Sequence, residues 1–273
     1  MIIALHSYKG GTGKTLLSVN LATLFAKMGK KVCLLDLDLR APSINSIFKN
    51  RTEYWMNNYL SKACKIEKVL SDCTGENMGE GKLFVGLANP STEAIREMEA
   101  KDRKWEMEAL ARLFALKTTL LNDMQFDYVF FDTSPGLQYS AINAIVSADI
   151  VLVVMSPDKS DVEGTQRMIR DLYELFEKKT GIIINKIPAE HFSPITQKNN
   201  SIKLATHRLP IVGAVPCSCD ILAAGGRRLF ASEKPNHAFT KTLHELAANL
   251  VVMKSYFSSA KSKPLKLEKC GRN

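Results

Sequence analysis

Near the start of the chain, the run Lys9-Gly10-Gly11-Thr12-Gly13-Lys14-Thr15 has the residue types and spacing to hold a phosphate chain. Glycines let successive backbone N–H groups close around phosphate oxygens, and a helix start just behind them adds partial positive charge. In such a loop Lys14 reaches the β- and γ-phosphates and the Thr15 hydroxyl ligates Mg²⁺. Gly10 to Gly13, Lys14, Thr15 and Leu16 are therefore the candidate nucleotide-binding run. The standard pattern G-x-x-x-x-G-K-[ST] asks for glycine at position 8, where this chain has Tyr8, and a second lysine, Lys9, stands at the front of the loop.

Carboxylates at the tips of apolar runs supply the rest of the candidate chemistry. Asp36-Leu37-Asp38 closes one such run, and alternation along a strand puts the two aspartates on one side. Beside Mg²⁺ and a phosphate chain, a pair like this can order a water for in-line attack. Asp132 follows Tyr128-Val129-Phe130-Phe131, the arrangement by which a buried strand delivers one carboxylate to a Mg²⁺ shell. Thr133-Ser134-Pro135-Gly136 then turns the chain away. Asn185 ends Gly181-Ile182-Ile183-Ile184, where its amide could pair with a purine edge or simply terminate a strand. Asp220, in Val215-Pro216-Cys217-Ser218-Cys219-Asp220, could contact a base or only shape a turn. Cys217 and Cys219 could supply half of a tetrahedral metal site or be small packing residues.

These residues need a parallel sheet to gather them. Candidate strands are Ile2–His6, Lys31–Asp36, Leu83–Leu87, Tyr128–Asp132, Ile150–Met155, Gly181–Asn185 and Ile211–Val215. Most are unbroken apolar runs, as in strands covered on both faces. Helical patterns fill the gaps: Thr15–Met28, Glu53–Leu70, Glu93–Asn122, Tyr139–Ser147, Asp161–Lys178, Ser218–Ser232 and Ala238–Phe257. This βαβ rhythm predicts an α/β fold. No Pro/Gly/Ser linker divides the chain, so residues 1–257 are expected to form one domain, with 258–273 as a basic disordered tail.

At 273 residues, with 45% hydrophobic and 24% charged, the composition is that of a soluble globular protein. Six cysteines without framework spacing, no room for a signal peptide before the first strand, and no membrane-length apolar run point to the cytoplasm. The formal charge is +9, and residues 254–273 carry six basic residues against Glu268 alone. Such a tail could serve DNA, anionic lipid or an acidic partner, or be a solvated end.

The loop K-G-G-x-G-K-T, with D-x-D after the second strand and Asp-Thr-Ser-Pro-Gly after the fourth, resembles the deviant Walker A loop and companion motifs of the MinD/ParA family of dimerising P-loop ATPases. The likeness spans roughly residues 1–255, and Leu39-Arg40-Ala41-Pro42-Ser43 looks nearer the MinD branch. It implies a doubly wound, mostly parallel sheet of seven or eight strands flanked by helices, with ATP and Mg²⁺ at the strand C-terminal ends. It further implies that Lys9 reaches a partner subunit's nucleotide and that Asp38 orients the attacking water. Asp36 and Asp132 would serve the Mg²⁺ with Thr15, Gly136 would sense the γ-phosphate, and Asn185 and Asp220 would meet the base. The implied output is slow hydrolysis that times an ATP-bound homodimer. Its partner would be an unknown activating or cargo protein, on a membrane or protein scaffold or on non-specific DNA. Metal or cofactor insertion is the third class, favoured by Cys217 and Cys219 alone.

Overall fold

The structure, a computed structural model, describes residues 1–49, 52–173, 176–188, 209–226 and 228–259, with backbone only for 254–259. Its described strands are β1 (Ile2–His6), β2 (Lys31–Leu37), β3 (Leu70–Asp72), β4 (Lys82–Gly86), β5 (Tyr128–Thr133), β6 (Ile150–Met155), β7 (Thr180–Ile187) and β8 (Ile211–Pro216). They form one sheet in the order β3-β4-β2-β5-β1-β6-β7-β8. Every neighbouring pair is parallel except β3–β4. The expected doubly wound, mostly parallel sheet is therefore present, and the strand order reverses around β1. Ligands in open α/β sheets bind beyond the strand C-termini at such a reversal, and the glycine-rich loop leaves β1 there.

β1, β5 and β6 are buried along their whole length, which is why they read as apolar runs instead of alternating ones. Alternation survives in which face each residue serves. Ile3, Leu5, Leu34 and Phe130 join the core beneath α1 (Lys14–Lys27). Ile2, Ala4, Leu35 and Phe131 join the core on the other face, with Met56 and Leu60 of α2 (Met56–Leu60). Each fully buried Ile, Leu, Phe or Met among these contributes about 1.5–3 kcal/mol, so the site rests on rigid ground. α1 itself is buried almost all round, because the short α8 (Phe230–Glu233) and α9 (Ala238–Ser259) cover its outer side.

Three expected helices are shorter or broken. Glu53–Leu70 holds only α2 and a single 3-10 turn, Ile66–Lys68, before Leu70 pairs into β3. Glu93–Asn122 divides into α3 (Thr92–Glu99) and α4 (Arg103–Thr118), because the Asp102 carboxylate accepts the Trp105 N–H (2.8 Å) and restarts the helix. Ser218–Ser232 yields α7 (Cys219–Ala223) and then stops at Gly225 and Gly226, both left-handed (φ +58° and +70°), before α8. α5 (Tyr139–Ser147) matches its helical pattern, whereas Asp161–Lys178 holds α6 (Lys159–Met168), which starts two residues early and continues as a π-helical turn, Ile169–Tyr173. α9 runs to Ser259, and the basic residues of the tail lie outside the described side chains.

Candidate nucleotide site

The loop after β1 needs glycine for two reasons. Gly11 (φ +75°) and Gly13 (φ +92°) are left-handed, and a Cβ on Gly13 would come 2.3 Å from Asn185 Nδ2. Gly13 caps α1, so Lys14 and Thr15 open the helix with their side chains turned toward β5. There the fully buried Asp132 carboxylate gathers three donors. Lys14 Nζ reaches Oδ1 at 3.1 Å, Ser18 Oγ reaches Oδ1 at 2.9 Å, and Thr15 Oγ1 reaches Oδ2 at 2.7 Å. Ser18 was not singled out in the sequence; it lies one helical turn beyond Lys14, and that spacing is the signal that could have found it.

The D-x-D carboxylates part company. β2 ends at Leu37, so strict alternation no longer governs Asp38. Asp38 lines the cavity, and its Oδ1 accepts from Ser134 Oγ (2.9 Å) and the Ala41 N–H (3.1 Å). Asp36 lies opposite Asp132 in the β2–β5 register and is fully buried. Its oxygens accept the N–H groups of Asp38 (3.1 Å) and Ile44 (3.4 Å), which fixes the loop between them. Burial first, then repulsion from Asp132 and Asp38, holds the Asp36 carboxyl well above the usual range. Asp36 does not join the cavity wall and reaches it only through the loop it shapes.

Gly136 is tied at both polar atoms to the end of β1. Its left-handed N–H (φ +77°) donates to Ser7 O at 2.9 Å, and its carbonyl lies 2.8 Å from His6 Nε2. The other His6 nitrogen contacts the Tyr173 hydroxyl. Burial drives the His6 pKa down to about 3, so the ring is neutral: Nε2–H donates to Gly136 and Nδ1 accepts from tyrosine. On the far side Asn185 Nδ2 donates to Thr12 O (2.7 Å) and Lys186 Nζ to Gly11 O (2.6 Å). Lys186, left-handed at φ +62°, is a loop-holding residue that the Asn185-Lys186 pair signalled by position alone.

A cavity of about 490 Å³ opens over these groups, within the usual range for ligand sites. Residues 10–16, Asp38, Asn185 and Lys186 line it together with Cys217, Ser218, Ile221, Leu222 and Phe239. Asp220 is not among its lining residues: its carboxylate lies 3.2 Å from His237 Nε2. Lys9 is also outside, held on its own α6 by Asp158 Oδ1 (3.1 Å) and Ser160 Oγ. The Thr12 hydroxyl is buried without a partner, as expected of a cradle that a phosphate oxygen completes. With the left-handed glycines and the Lys14, Thr15 and Asp132 donor set, the residues present fit a Mg²⁺-nucleotide. Cys217 and Cys219 are free and exposed, and among the described residues no group of three or more His, Cys, Asp or Glu could hold a metal.

Fold and site together define a P-loop nucleotide-binding protein. A family model described as AAA domain matches residues 1–185, and the chain belongs to that family, within the MinD/ParA group of P-loop ATPases. It is similar to the septum site-determining protein MinD of Thermotoga maritima, 27% identical over 260 residues that cover 91% of this chain and 87% of that protein. MinD complexed with Mg-ADP from Pyrococcus horikoshii has the same fold, with a TM-score of 0.73 at 21% identity over 96% of this chain and 99% of that one. So does a plasmid partition protein of Borrelia burgdorferi bound to AMPPNP, with a TM-score of 0.68 at 21% identity over 92% and 98%. Among the described residues no helix is long and apolar enough to cross a membrane.

Proposed function

We propose that this chain is a Mg²⁺-dependent ATPase whose ATP-bound form is a sandwich homodimer and whose slow hydrolysis times a change of partner. The observation that carries the reading is the division of labour between two lysines. Lys14 is buried on Asp132 inside the cavity, while Lys9 stands outside it on the surface, 42% exposed and, among the described residues, its ammonium tethered only at the start of its own α6. A cation so placed does not serve its own phosphates and is available to a second subunit's.

In this reading the N–H groups of residues 10–15 and the Lys14 ammonium bind the phosphate chain. Mg²⁺, when bound by Thr15 and Asp132, would neutralise charge on the phosphoryl oxygens. Asp38 positions the attacking water. Both bonds its carboxylate accepts among the described residues fall on Oδ1, so Oδ2 remains to accept from that water. Asp36 keeps the Asp38 loop in place. Gly136 exchanges its bond to Ser7 for the γ-phosphate, and Asn185 meets the base from a position already fixed on Thr12. Asp220 takes part only if His237 releases it.

The output we favour is spatial positioning on a membrane or protein scaffold, in company with an activating or cargo protein. Support comes from the MinD relatives and the segment at residues 39–43. A second reading, partition on the nucleoid, is favoured by the +9 charge and by the likeness to a plasmid partition protein. Residues 1–257 would be the ATPase unit and 258–273 the basic arm. Phosphate release from Mg²⁺-ATP tests the activity: turnover lost in Lys14→Ala and Asp38→Ala supports the reading, and undiminished turnover in either contradicts it. Sedimentation with anionic liposomes against salt-dependent retention on duplex DNA separates the two outputs.

A further inference from the structure

The residue that breaks the standard loop pattern has a built receptor. Tyr8 packs with the buried cluster of Val153, Met155, Met168 and Ile182, under α6. The edge of its ring lies directly against Gly164: a Cβ there would fall 1.9 Å from Cε1, 2.2 Å from Cδ1 and 2.5 Å from Cζ. Gly164 is inside α6 and has no positive φ. A mid-helix glycine disfavours the helix relative to alanine, so backbone conformation is not what it serves here. It is a slot for the tyrosine.

The residues on either side make the same attachment at other heights. Lys9 is bound at the start of α6 by Asp158 and Ser160. His6, through Nδ1, meets Tyr173, the last residue of the π-helical turn Ile169–Tyr173 that continues α6, while its Nε2–H holds Gly136. Three residues at the end of β1 and the entrance of the loop thus engage one helix at its beginning, middle and end. Of the three contacts the outermost, Lys9 to Asp158, is exposed and weak. The ring in its slot is the rigid one.

We propose that Tyr8 and Gly164 are positioning residues: the ring seated on Gly164 holds Lys9 on its own α6, and so sets how readily Lys9 is released to a second subunit. This rests on the reading of Lys9 as a cross-subunit residue. Removing the ring, or filling its slot, frees the lysine without touching the phosphate cradle. Tyr8→Gly also restores the glycine of the standard pattern.

Two measurements on the full chain separate the lock from the dimer. The first is acylation of lysines by acetyl N-hydroxysuccinimide in the Mg²⁺-ADP form, read by mass spectrometry, with the fully exposed Lys159 and the buried Lys14 as internal standards. Lys9 should label more slowly than Lys159 in the parent and close to it in Tyr8→Gly and Gly164→Ala, while Lys14 stays protected. Unchanged Lys9 labelling in both variants overturns the lock, whether or not the protein dimerises. The second is the dimer dissociation constant in Mg²⁺-ATP, each variant carrying Asp38→Ala. The lock predicts a decrease of up to about thirtyfold, the scale of two exposed ion pairs, one released in each subunit. Freed Lys9 with no dimer in any variant would refute the sandwich reading and leave the lock standing.

If Gly164→Ala folds poorly, Tyr8→Gly adds no volume and still decides the labelling. The pair gives a further sign: Gly164→Ala should lower the melting midpoint when Tyr8 is present and raise it when residue 8 is glycine. A decrease in both backgrounds overturns the slot.

Discussion

Acidification should destabilise this protein through His6 in a calculable way. The imidazole is buried, and its pKa is lowered from 6.5 to about 3 by burial, with Lys14 adding to the lowering and the bond to Gly136 opposing it. In the unfolded chain the same ring titrates near 6.5. Between those two values the unfolded state therefore binds a proton that the folded state refuses, and stability falls as pH falls. Above about pH 6.5 the effect vanishes, and below about 3 it is constant. From pH 7 to pH 5 it amounts to about 2 kcal/mol, with a slope approaching about 1.4 kcal/mol per unit at the acid end. Urea unfolding at a series of pH values measures this, and His6→Gln, which retains an N–H for Gly136 but cannot titrate, removes the other carboxylates and histidines from the comparison. The parent should lose about 2 kcal/mol more than His6→Gln over those two units. Parallel curves for the two proteins would refute a neutral, buried His6 and with it the hydrogen-bond assignment at Gly136.

Further outcomes follow from other contacts. Asp132→Asn replaces an acceptor facing Lys14 and Thr15 with an amide, and ATP turnover should fall on the order of a hundredfold; a loss below tenfold in a phosphate-release assay would count against its role. Chelation by EDTA should abolish turnover, and added Mg²⁺ should restore it; turnover that survives chelation would remove the metal from the account. Gly81→Ala would place a Cβ 1.8 Å from the backbone oxygen of Ala26, costing about 1–3 kcal/mol in urea unfolding. Gly75→Ala, whose new Cβ meets nothing closer than 3.8 Å, should stay within about 0.5 kcal/mol of the parent.

Much of the site was legible because its residues are adjacent in sequence or stand at strand ends. The loop at residues 9–15, Asp132 and Asn185 each follow an apolar run that the sheet buries, and burial is what an apolar run records. What the chain hides is pairing across distance. Nothing beside Ser134 says that it will hold Asp38, and nothing beside Gly164 says that Tyr8 will fill its place. Nothing in the turn at Val215–Asp220 says that His237, remote in sequence, will lie against the Asp220 carboxylate. In the fold, β3 escaped because Leu70-Ser71-Asp72 is too short to carry a period and makes its case only through β4. The stop at Gly225-Gly226 is written in the sequence as two adjacent glycines, which adopt the left-handed conformation that ends α7.

The central claim is that Lys9 acts across a nucleotide-dependent dimer. Size-exclusion chromatography with light scattering on Asp38→Ala, in Mg²⁺-ATP and in Mg²⁺-ADP, tests it most directly. The account predicts a dimer with ATP, a monomer with ADP, and no dimer when Lys9→Ala is added. A monomer under both conditions with nucleotide demonstrably bound, or an ATP dimer indifferent to Lys9, would contradict it.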